Sequence, residues 1–135
     1  MRGLFCCVVV TLSLTVGAAA AECSGQGSVK LLTFDSWSLV AGGNGGVELA
    51  YHLDEDKAVT RLSAHVYFED TAGDRQADAA LDLVDAGGLP LVGTATVSLS
   101  KPMRQRLGAA APGGISAYAC TNVVEYLDGS GVIID

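Results

Sequence analysis

From residue 22 onward, apolar and polar side chains alternate with a period of two, without the three-to-four spacing of an amphipathic helix. Val47, Leu49, Tyr51 and Leu53 interleave with Glu48, Ala50, His52 and Asp54, which predicts a strand with one buried face. The next segment repeats the pattern, with Leu62, Ala64, Val66 and Phe68 inward and Arg61, Ser63, His65, Tyr67 and Glu69 outward. Weaker alternation predicts strands at 29–39 around Trp37, at 76–85, 92–100, 115–126 and 132–134, seven in all. In 76–85, Ala77, Ala79 and Ala80 favour helix by propensity, and the strand is the preferred of the two readings. Clusters of Gly, Asp, Asn and Ser separate the segments, the run Gly42, Gly43, Asn44, Gly45, Gly46 among them. The expected fold is all-β, a single antiparallel β-sandwich of about seven strands.

The first 21 residues change the picture of what folds. Arg2 precedes an apolar run over 4–16 and a small-residue stretch over 17–21, the layout of a cleaved export signal ending at Ala21. The run is shorter than the roughly 18 apolar residues of a membrane helix, and no later run reaches that length. The expectation is therefore a signal peptide over 1–21, one β-sandwich domain over 22–135, no membrane insertion after cleavage, and a secreted or periplasmic location. Glu22 stands where a small residue is required for acylation of Cys23, which disfavours a lipid anchor. Cys6 and Cys7 leave with the signal, and in an oxidising compartment Cys23 and Cys120 are expected to pair. A bridge over so long a loop stabilises by about 4–5 kcal/mol in the chain-entropy model. Without Arg2, seven basic residues face fifteen acidic ones, a net charge of −8, which argues against nucleic acids and anionic membrane surfaces as partners.

Trp37, the triplet Tyr118-Ala119-Cys120 and the strand count resemble the immunoglobulin-like sandwich. That resemblance implies a core tryptophan near a bridge and a tyrosine two residues before the second cysteine. Because Cys23 precedes the first strand, the bridge is expected to tie the chain start to a late strand, not to join two central strands. The segment 65–81 resembles the hairpin of small bacterial extracellular immunoglobulin-like modules. The likeness bears on fold and not on function.

If successive strands run antiparallel, the loops around Asp54, Glu55 and Asp56, around Asp85 and around Asp128 share one end. The glycine run, Asp70 to Asp74, and Lys101, Arg104 and Arg106 share the other. The five carboxylates of the first end are the calcium candidates, although no EF-hand spacing is present and turn chemistry alone accounts for aspartate in such loops. Asp70 and Asp74 lie roughly 30 Å from Asp54 at about 3.3 Å per residue, and read as a hairpin turn at 71–73. Pairing 47–53 side by side with 59–69, with Leu53 opposite Thr60, sets Glu48 opposite His65 and Arg61 opposite His52. The two histidines are then more than about 10 Å apart, too far to share a metal. No G-x-S-x-G elbow, free thiol or phosphate-binding loop is found, so no enzyme is expected. The segment holding Lys101, Met103, Arg104 and Arg106 reads as a long basic loop and is the candidate partner-binding loop. The expected function is a non-catalytic exported module that binds a protein or surface component. The alternatives are a structural subunit of an envelope or fibrous assembly that pairs through 132–134, and a calcium-dependent adhesion-type module. No cofactor other than calcium is expected, and oligomeric state is left open.

Overall fold

A computed structural model describes residues 23, 31–40, 45–110 and 113–133. The expected signal segment 1–21, residues 29 and 30 of the first expected strand and Ile134 of the last lie outside the described residues. The chain forms β1 (Leu32–Leu39), β2 (Gly46–Leu53), β3 (Val59–Asp70), β4 (Arg75–Val84), β5 (Val92–Ser98), α1 (Lys101–Ala109), β6 (Ile115–Tyr126) and β7 (Gly131–Ile133). Two antiparallel sheets result, one ordered β1-β2-β5 and the other β4-β3-β6-β7. Phe68, Leu32, Leu49, Leu62, Val47, Val59 and Val66 are fully buried between them.

Segment 76–85 is a strand because of what it opposes. Ala77 lies across from Phe68 and Ala79 across from Val66, so small residues sit beside the largest ones. Packing on β3 overrides alanine's helical preference. Segment 101–107, by contrast, is not a loop but the first seven residues of α1. Ser100 caps the helix, its hydroxyl accepting from the Met103 amide at 3.4 Å, and Pro102 sits in the first turn. Leu107 is buried and α1 packs beside the outer edge of β4. Its single buried leucine gives too little apolar periodicity to signal a helix.

The side-by-side pairing of β2 with β3 is also corrected. β2 lies between β1 and β5, and β3 between β4 and β6, so residues 54–58 cross from one sheet to the other. Alternation is satisfied equally by strands that pair edge to edge and by strands that face each other across a core. Glu48 therefore lies opposite Ser38 and Thr96, and His65 opposite Ala80 and Cys120.

Cys23 and Cys120 form the expected disulfide, with Cα atoms 5.6 Å apart. Ala119 and Thr121 point into the core, whereas Cys120 pairs with His65, which belongs to the outward set of β3. The bridge thus lies on the outer face of the four-stranded sheet and joins the chain ahead of β1 to β6, a late strand. Trp37 packs edge-on against Phe68 at 5.8 Å between ring centroids, and its indole N–H donates to the Ile115 carbonyl at 3.0 Å. Tryptophan and bridge occupy opposite faces of this sheet.

Candidate functional site

Three loops gather at one end of the two sheets, and backbone hydrogen bonds hold them together. The Asp85 and Leu89 amides donate to the Thr60 and Val59 carbonyls, and the Leu127 amide donates to Ala58 at 2.9 Å. Ala58 thereby lies between the β4–β5 loop and the β6–β7 turn, its Cβ against Gly88. Asp54, Glu55, Asp56, Asp85 and Asp128 all belong to these loops, with Lys57 as the one basic residue among them.

Most of these carboxylates have local tasks. Glu55 accepts the Tyr126 hydroxyl at 2.7 Å and the Asp56 amide at 2.9 Å. The hydrogen bond from Tyr126 holds the Glu55 carboxyl below its usual range, and the same bond pushes the Tyr126 hydroxyl up to about 12. Asp128 accepts the hydroxyl and amide of Ser130 at 2.5 and 2.8 Å, which holds its carboxyl down at about 2, helped by Lys57 at 3.3 Å. Asp85 accepts the Gly87 amide at 3.0 Å and closes its own turn. Among the described residues, no three His, Cys, Asp or Glu side chains converge as metal ligands would.

The same end concentrates exposed apolar surface. Among the described residues eight large apolar side chains are exposed, and Val84, Leu91, Val92, Leu127, Val132 and Ile133 lie at this end or within three residues of it. An open hollow of about 340 Å³ lies between Lys57, Ala58, Tyr126, Leu127 and Asp128. The Lys57 ammonium sits 4.4 Å from the centre of the Tyr126 ring and 3.2 Å from the Ser130 hydroxyl.

The histidines project from the outer faces of different sheets, which separates them for a reason unrelated to the expected hairpin. A bulge in β1 leaves Asp35 without a ladder partner, and its carboxylate meets His52 Nδ1 at 2.9 Å. Asp54 stands 3.7 Å from Nε2 on the other side of the ring. The hydrogen bond to Asp35 raises the His52 pKa above its usual value, against the opposing effect of desolvation and with the added pull of the Asp35 and Asp54 charges. His65 pairs with Asp78 at 2.9 Å.

His65 opens a polar and aromatic array across the outer face of β4, β3 and β6 that the sequence pattern did not flag. His65 lies beside Tyr67, Tyr67 beside Tyr118, and the Arg75 guanidinium lies 4.0 Å above the Tyr67 ring. Glu69, only 6% exposed, accepts the Tyr118 hydroxyl at 2.6 Å, with Arg75 at 3.9 Å. Burial first, and the bond to Glu69 second, push the Tyr118 hydroxyl up to about 12. Strand alternation sets His65, Tyr67 and Glu69 outward; only strand order could show that Asp78, Arg75 and Tyr118 meet them.

The basic segment is spent largely on its own fold. Arg104 donates to the Leu99 carbonyl at 3.0 Å and covers Gly45, whose φ of +58° and lack of a side chain admit the guanidinium. Arg106 donates to the Gln76 carbonyl at 2.8 Å, at a bulge in β4. Met103 packs against the core, and Lys101 is exposed. Two of the three cations of the expected partner-binding loop thus each donate to a backbone carbonyl, and Arg106 stays exposed. Among the described residues no helix is long and apolar enough to cross a membrane. No family model, curated protein or solved structure matches this chain.

Proposed function

We propose that the protein is an exported, non-catalytic interaction module that docks another macromolecule at the end where residues 54–58, 85–91 and 127–130 meet. The observation that carries this reading is the exposure there of Leu91 and Leu127, with Val84 and Val92 exposed at the adjoining ends of β4 and β5. Scattered apolar residues are ordinary on a protein surface, whereas a cluster rimmed by polar groups marks a contact site. Each histidine sits against carboxylates on the outer face of a different sheet, apart from the other histidine, which supports a module without acid–base chemistry.

The sheet order supports an immunoglobulin-like classification. The constant-type order 1-2-5-4 beside 3-6-7 becomes the order seen here when the fourth strand moves to the edge of the third. Export is supported by the disulfide, which suits an oxidising compartment. Expression of the full chain with a secretion-competent host should yield a mature protein whose first residue is Glu22; retention of residues 1–21 would overturn export. For the docking end, a random peptide library selected on the oxidised domain should converge on sequences whose binding is lost with Val92→Ser and Leu127→Ser. Sequences that bind both variants as well as the parent would refute it.

A second reading rests on β7. Gly131, Val132 and Ile133 are all exposed, form a sheet edge and carry no charge, so a neighbouring chain could extend the sheet there. A concentration-independent monomer in sedimentation would dismiss this structural role.

A further inference from the structure

We infer that the docking end recognises a cationic amphipathic segment, one that presents lysine or arginine side chains beside apolar ones. This deepens the docking reading above and rests on it. The charge of the three loops supplies the first half of the argument. Five carboxylates face one lysine among their described residues, a net of −4, so an anionic partner or a second copy meeting this end with its own is repelled. The apolar half comes from Leu91, Val92 and Leu127, which stand exposed in the same loops and at the first residue of β5, with Val84 at the end of β4. A purely ionic ligand would leave that surface in water, and a purely apolar one would leave the carboxylates unanswered.

Lys57 displays the chemistry within the molecule itself. Its ammonium sits over the Tyr126 ring, beside the Asp128 carboxylate and the Ser130 hydroxyl. An aromatic face, an anion and a neutral acceptor around one ammonium form a recognition unit for primary amines. The open hollow against the same residues leaves room beside that unit for an incoming side chain. The other source of cations, α1 of a second copy, is poorly suited, because Arg104 and Arg106 already donate to backbone carbonyls.

The test uses the oxidised protein, isotope-labelled for NMR, and three synthetic peptides of one length: an amphipathic lysine–leucine peptide, its glutamate–leucine counterpart, and a lysine–serine peptide without an apolar face. The lysine–leucine peptide should shift resonances of 54–58, 85–92 and 127–133 selectively. Its affinity should fall roughly tenfold with the Asp54→Asn, Asp56→Asn double substitution, and again with Val92→Ser and Leu127→Ser together. All four residues are exposed, so the fold tolerates these exchanges. If the glutamate–leucine peptide binds this end equally well, the cationic preference falls and the docking end stands. Equal binding of the lysine–serine peptide removes the apolar half of the inference. If no peptide shifts these residues, or none of the substitutions matters, both the inference and the docking reading fall. Self-association that the same substitutions abolish would identify a second copy as the occupant and overturn the cationic partner.

Discussion

Thr121 offers the sharpest test of how the core is built. It lies on the inward face of β6 opposite Ala64, is 0% exposed, and its hydroxyl has no hydrogen-bond partner among the described residues. An unsatisfied hydroxyl in such a place costs about 1–3 kcal/mol of desolvation. Valine has nearly the same shape with a methyl in place of the hydroxyl, and burying that methyl contributes about 0.8 kcal/mol. Some of the gain is offset by the larger volume of a methyl in a close-packed core. Thr121→Val should therefore stabilise the oxidised domain by about 1–2 kcal/mol, or roughly 4–8 °C in Tm for a domain of this size. Thr121→Ser, which keeps the hydroxyl and deletes the methyl, should lower Tm by a few degrees. Denaturant titration of the three proteins under identical conditions supplies the free energies, with equal m-values as the sign that only stability has changed. An unchanged or lower midpoint for Thr121→Val, with the fold intact, would mean that the hydroxyl has a partner and that the interior is not as described.

Other expectations concern the surface pairs and the helix. Because Asp35 and Asp54 raise the His52 pKa, the stabilisation from protonated His52 is complete below its unfolded value near 6.5 and fades as pH rises through the folded one. NMR titration of the His52 ring should show the pKa falling in Asp35→Asn, and an unmoved value would dismiss the pairing. Tyr118→Phe leaves the Glu69 carboxylate without its hydroxyl donor and should cost about 1–2 kcal/mol in chemical unfolding; a neutral result would show that water replaces the bond freely. In an ultraviolet titration of the folded protein, Tyr118 and Tyr126 should ionise near 12, and early ionisation of both would contradict their bonds to Glu69 and Glu55. Ser100→Ala removes the cap of α1 and should lower stability by about 1 kcal/mol, with faster amide exchange at Met103 as its local signature.

The parts of this fold that were legible in sequence are those that depend on one strand at a time. Leu62, Ala64, Val66 and Phe68 face the core whichever strand lies alongside, so their burial follows from alternation alone. Partners across strands depend on sheet order, which alternation does not encode; hence Glu48 was set opposite His65, and Asp78 was not recognised as its partner. The bulge that aims Asp35 at His52 is likewise a property of two strands together. Helix α1 escaped because its signal is confined to Ser100, Pro102 and Leu107, while its basic residues suggested a surface loop. At the acidic end the five carboxylates were located by counting strands. The apolar residues beside them were missed because Val92 and Ile133 sit in strands, where an apolar side chain is read as buried although these two are 73% and 76% exposed.

The place of the disulfide also sets an order in time. Cys23 leaves the ribosome before any strand exists, and its partner follows 97 residues later, after β1 to β5 and α1 have been made. The crosslink therefore cannot guide the early search for the fold. It can form only once β6 has been made, since Cys120 lies within that strand. Until then the leading thiol stays open to oxidants and to other chains, so the time taken to complete the chain sets how long each newly made molecule remains vulnerable to wrong covalent partners.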